Sequence, residues 1–148
     1  EKEFCSISDA DLQLETDGEK EDLQQKTVEN KDLLSFLKDA LADKVKEVRL
    51  SSRLKSHPVC LTADGEVSLE MEKVLNSMPA AEQQIKAQRV LEINSEHPIF
   101  QTINELYQND RDKVKTYAYI LYTQALLIEG LPIEDPVAYS NAVCQLLV

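Results

Sequence analysis

The sequence predicts an α+β domain: a small sheet of about three strands, helices packed on it, and a helical hairpin at the end. Apolar residues recur at helical spacing in several long stretches. Short runs rich in β-branched residues fall between them, and prolines and glycines mark the joints. Hydrophobic residues make up 43% of the 148, enough for one core and too many for a wholly disordered chain.

Taken in order, residues 1–32 carry 11 acids against 4 bases and few clustered apolar residues. The stretch 1–22 reads as an acidic linker from an upstream domain, and 23–148 as the compact domain. An opening at Glu1-Lys2-Glu3 rather than Met reads as a piece of a longer protein. Leu33, Phe36, Leu37, Ala40 and Leu41 share one helix face. Val48 and Leu50 alternate with Glu47, Arg49 and Ser51, as in a half-buried strand, and VCLTA at 59–63 follows Pro58. These two strands are close enough in sequence to pair as a hairpin. A helix at about 67–78 carries Val67, Met71, Val74, Leu75 and Met78 on one side and ends at Pro79. RVLEIN at 89–94 is strand-like, and Pro98 opens a helix reaching about Tyr107. The clearest periodicity spans about 112–129, with Val114, Tyr117, Ala118, Leu121, Ala125 and Ile128 on a broad stripe. Gly130 suits a helix stop, and Asp135-Pro136 a cap and restart of a helix to about Leu147. So short a connection implies antiparallel neighbours.

Composition narrows the function. A net charge of −11 argues against nucleic acid and against an anionic membrane surface, which leaves protein as the partner class. Cys5, Cys60 and Cys144 lie 55 and 84 residues apart, with no metal or redox spacing. They read as reduced thiols of a cytoplasmic protein, Cys60 and Cys144 in core-like positions. No apolar run approaches the roughly 18 residues of a membrane span. Gly18, Gly65 and Gly130 are too far apart for a phosphate-cradling loop, so no catalytic, cofactor or metal residue is expected. His57 and His97 each precede a proline; the first reads as an exposed loop residue, the second as a helix start.

Three stretches share one resemblance. VKEVRLSSRL at 45–54 with PVCLTAD at 58–64, RVLEINSEHPIF at 89–100, and YTQALLIEGLPIEDPVAYSNAVCQLL at 122–147 resemble the HtpG family of bacterial ninety-kilodalton heat-shock chaperones. In that family an ATP-binding amino-terminal domain and a middle domain precede a carboxy-terminal domain that holds two protomers together. The resemblance implies the carboxy-terminal dimerisation domain: not itself an enzyme, with no cofactor of its own, and ATP and magnesium held by upstream domains of the full-length protein. The ending at Val148 lacks the acidic Glu-Glu-Val-Asp tail of eukaryotic relatives, so binding to tetratricopeptide co-chaperones is not expected.

Two surfaces follow as expectations. The terminal hairpin would pair with that of a second copy in a four-helix bundle, through Tyr117, Leu121, Ala125, Ile128, Val143, Leu146 and Leu147. The helix at 67–78 would touch unfolded or partly folded client proteins through Val67, Met71, Val74, Leu75 and Met78, since methionine adapts to varied partners. The competing readings are an acidic protein-binding adaptor without a chaperone cycle and, far below it, a thiol-dependent enzyme using Cys60.

Overall fold

A computed structural model describes residues 17–51, 53–78 and 85–148. The stretch 1–16, with Cys5 and most of the expected linker, lies outside the described residues. The last part of that linker, from Asp17, is the start of helix α1 (Asp17–Glu29). This helix has no apolar stripe to betray it in the sequence. It is held by Leu23 packed on the core, by the Lys26–Glu96 ion pair, and by Asn104 Nδ2 donating to Asn30 Oδ1 at 2.8 Å.

Strand β3 (Gln88–Asn94) occupies the middle of the described sheet, whose order is β1-β3-β2. β1 (Glu47–Ser51) runs parallel to it with Val48 opposite Leu91. β2 (Val59–Asp64) runs antiparallel, with Leu61 opposite the same residue. The β1–β2 hairpin expected from sequence is therefore corrected: those strands are the two edges, and β3 separates them. The reason lies in β3 itself, where every residue from Arg89 to Asn94 is buried. A strand covered on both faces belongs between neighbours that satisfy both of its edges.

Side chains alternate across the sheet, so one face gathers Val48, Leu50, Val59, Leu61, Ala63, Leu91 and Ile93. Onto it pack α2 (Lys31–Leu41), through Leu33, Leu34, Leu37 and Leu41, and α5 (Arg111–Ile128), through Val114, Ala118, Leu121 and Ala125. Three further helices follow among the described residues. α3 (Leu69–Ser77) leads into β3, and α4 (Pro98–Asn109) packs on α5 with Phe100 and Ile103 inward. α6 (Pro136–Leu147) lies against α5.

Ile103 is fully buried and Val28 is 75% exposed, which sets up a direct contrast. Ile103→Ala should lower unfolding stability by about 2–5 kcal/mol through lost transfer energy and the cavity left behind. Val28→Ala should change it by no more than about 0.5 kcal/mol. Urea unfolding of both variants checks the pair, and equal losses would show that the core is not where this fold puts it.

Candidate interaction surfaces

Helix α3 begins at Ser68, whose hydroxyl accepts from the Met71 amide at 3.1 Å, an ordinary N-cap. Of its nine residues only Leu69 and Glu72 are buried. Met71, Val74 and Met78 each leave about half their surface in solvent, while Leu75 and Val67 are half-buried and Val67 packs on the core. Three of the five residues expected to meet a partner therefore project. Ile85, on the far side of the undescribed stretch 79–84, adds a fourth exposed apolar side chain. Its backbone is bound in both directions by the Asn76 carboxamide, at 2.8 and 2.9 Å.

The α5–α6 hairpin forms through the local signals visible in the sequence. Gly130 takes φ +68, its amide donates to Leu127 O at 3.1 Å, and the Leu131 amide donates to Leu126 O at 2.9 Å. These are the two bonds of a Schellman stop. Asp135 then caps α6, one carboxylate oxygen accepting from the Val137 and Ala138 amides at 3.1 and 2.9 Å.

The expected interface residues divide. Ile128 is 54% and Leu147 is 80% exposed, and Tyr117, Val143 and Leu146 are half-buried. Leu121 and Ala125 are a correction: both lie in this chain's own core, because α5 is flanked by α2, α4, α6 and β2. Leu127 and Val137, outside the expected set, are exposed instead. The four-helix bundle is corrected with them. What this chain holds is a two-helix hairpin whose main stripe already covers the sheet.

The polar face of the sheet is organised around Glu92, buried at the centre of β3. One of its oxygens accepts from Arg49 Nη2 at 2.9 Å, Arg53 Nη2 at 2.7 Å and Thr62 Oγ1 at 3.3 Å. Cys60 Sγ lies 3.8 Å from the other. Burial, with the Glu92 charge adding to it, pushes the Cys60 thiol up to about 12, so it stays protonated and unreactive at neutral pH. Cys144 is exposed, which corrects its expected core position. His57 is exposed in its loop, and His97 caps α4, its Nδ1 accepting from the Ile99 amide at 3.2 Å.

A cleft of about 740 Å³ lies between α2, β3 and the loop before α6, lined by Lys38, Lys44, Lys86, Arg89, Tyr122 and Glu134. Glu134 pairs with Lys44 at 2.5 Å and Lys86 at 3.4 Å, and the bond from Lys44 holds its carboxyl below the usual range. Among the described residues no three His, Cys, Asp or Glu side chains converge on a metal position. The glycines sit in the first turn of α1, after β2 and at the end of α5, so none forms a backbone cradle with another. Nor is any helix among the described residues long and apolar enough to cross a membrane.

A family model described as Hsp90 protein matches residues 1–148. The chain is 52% identical over 148 residues to chaperone protein HtpG of Bacillus subtilis, covering 100% of this chain and 24% of the relative. It is 57% identical over 147 residues to chaperone protein HtpG of Clostridium acetobutylicum, covering 99% and 23%. For that of Shouchella clausii the identity is 55% over 148 residues, covering 100% and 23%. The chain thus spans about a quarter of the length of the curated relatives it matches.

These matches correct three expectations. The carboxy-terminal dimerisation domain was an assignment of this stretch to one end of the longer protein, and the absence of enzyme activity and of a cofactor rested on that assignment together with the spacing of the glycines. A match over 24% of a relative establishes the family without assigning that end, so none of the three is retained.

The thiols give a chemical check. At pH 8 a thiol held near 12 is alkylated roughly a thousandfold more slowly than an ordinary cysteine, because only the thiolate reacts. Iodoacetamide should therefore label Cys60 in urea and spare it in the native protein. Rapid native labelling of Cys60 would overturn this and revive a thiol chemistry.

Proposed function

Because the chain belongs to the Hsp90 family of heat-shock chaperones, we propose that it serves protein folding through two surfaces, α3 for clients and the α5–α6 hairpin for self-association. The distribution of exposed apolar side chains carries this reading. Of the ten large hydrophobics exposed among the described residues, Met71, Val74, Met78 and Ile85 cluster on or beside α3. Leu127, Ile128 and Val137 flank the turn between α5 and α6, Leu147 and Val148 lie at the other end of α6, and only Val28 stands apart from both helices. Contiguous exposed apolar groups mark interfaces, whereas scattered ones are ordinary surface.

The two clusters suit different partners. On α3 the flexible thioethers of Met71 and Met78 accommodate varied apolar segments, as a binder of partly folded proteins requires. On α5 and α6 the residues are branched aliphatics, which favour one well-packed partner such as a second copy of the same surface. Burying each contributes about 1.5–3 kcal/mol, and several together offset the entropy lost on association. The protein would act in the cytoplasm, on unfolded or partly folded proteins, as a homodimer. The adaptor reading is set aside, since the relatives are chaperones by name.

Both surfaces are testable in the full-length protein. Deleting residues 136–148, or the pair Ile128→Asp and Leu147→Asp, should turn a dimer into a monomer in sedimentation; a discrete dimer of unchanged affinity would place the interface elsewhere. Met71→Asp should weaken capture of a denatured protein with the melting temperature nearly unchanged, because the side chain is half in water. A large drop in melting temperature would show that the residue belongs to the core and would sink the client surface.

A further inference from the structure

Helix α3 is attached to the domain by little. Besides Leu69, its one buried residue is Glu72, 3% exposed, a carboxylate in a place where an unpaired charge would not be tolerated. Two donors hold it. The Ala87 amide donates to Oε2 at 2.9 Å, and Arg89 Nη2 donates to Oε1 at 2.5 Å.

Arg89 sits on β3 and is 8% exposed. Its other terminal nitrogen, Nη1, donates to the Tyr122 hydroxyl on α5 at 2.6 Å. Its third nitrogen, Nε, is buried with no partner among the described residues. The guanidinium is thus stretched between two helices, one arm on α3 and one on α5, rather than folded into the two-bond fork that best matches a carboxylate. Burial works against its charge, but the bonds it donates to Glu72 and Tyr122 outweigh that, so the cation persists.

We infer that Arg89 is a positioning residue through which α5 sets the seat of α3. The Tyr122 hydroxyl fixes the plane of the guanidinium, and that plane aims Nη2 at Glu72. Without the hydroxyl, a group that already carries one unpaired nitrogen is free to turn toward a better-satisfied pose, and Glu72 loses its alignment. The inference rests on the reading of α3 as the client surface and α5 as part of the self-association surface. On that reading the link joins the two: whatever shifts α5 on association shifts α3, and by reciprocity a client on α3 biases association by the same factor.

The test uses the full-length protein with Tyr122→Phe, which keeps the ring and removes only the hydroxyl, and Arg89→Lys, which keeps the charge and removes the second arm. Amide exchange should accelerate roughly fivefold or more across residues 69–77 in both variants, with α4 unchanged as the internal control. Affinity for a reduced, carboxymethylated model protein should change in the same variants, and its saturation should shift the dimer dissociation constant less than in the parent. Unchanged exchange in α3, or acceleration spread equally over α4, would overturn the inference, since it would make Tyr122 merely one more packed residue. Faster exchange confined to α3 with no change in client affinity or dimerisation upholds the positioning role and overturns the functional reading instead.

Discussion

The burial of β3 from Arg89 to Asn94 governs the rest of the molecule. Its residues from Arg89 to Asn94 are closed to solvent on both faces, so both edges need a strand and both faces a cover. β1 and β2 satisfy the edges in opposite senses, one parallel and one antiparallel. Leu91 and Ile93 point into the layer formed by α2 and α5, and that demand absorbs the stripe of α5 that otherwise looks free for a partner. The surface left over for association moves outward to Leu127, Ile128 and α6 as a consequence.

Burying a strand also buries whatever charges it bears. Glu92 is tolerable because Arg49, Arg53 and Thr62 converge on a single oxygen of it, while burial, with the Glu92 charge added, keeps the Cys60 thiol protonated. Arg89 is tolerable because Glu72 and Tyr122 meet it from different helices. Removing one partner from such an arrangement costs more than the pair contributes while intact, because the survivor stays in the low-dielectric interior. The described polar interior therefore works less as a source of stability than as a constraint on where α3 and α5 sit.

The family bears on these features at the level of the whole chaperone. The matched relatives are about four times longer than this chain, and their name describes the full protein. What belongs to this stretch is narrower: a buried sheet and core, one lightly seated helix with an adaptable apolar face, and a hairpin with exposed aliphatic residues beside its turn and at its terminus. A lightly seated element is the kind that a client or a neighbouring subunit can bias at small energetic cost.

Local chemistry was legible in the sequence. The Gly130 stop, the Asp135 cap, Pro136 at the first turn of α6, a helix at about 67–78 and the three strands follow from signals within a few residues of one another, because caps, turns and side-chain periods are short-range physics. The apolar side of α3 was legible for the same reason, but not whether it meets the core or water; in the structure Met71, Val74 and Met78 are exposed while Leu69 is buried. Contacts between distant segments were not legible. That β3 enters between β1 and β2 depends on a partner about forty residues away, and nothing near 47–64 records it. α1 carries no stripe and exists through Leu23, Lys26 and Asn30 meeting the body of the domain. Leu121 and Ala125 have the same apolar character as Ile128; only the packing of α2 and β2 around α5 decides that the first two are core and the third is surface. By itself the sequence determined where elements begin, end and turn their apolar sides, since those are properties of a single segment. Which apolar side meets the core and which meets water was decided by tertiary structure alone, because burial is a relation between segments.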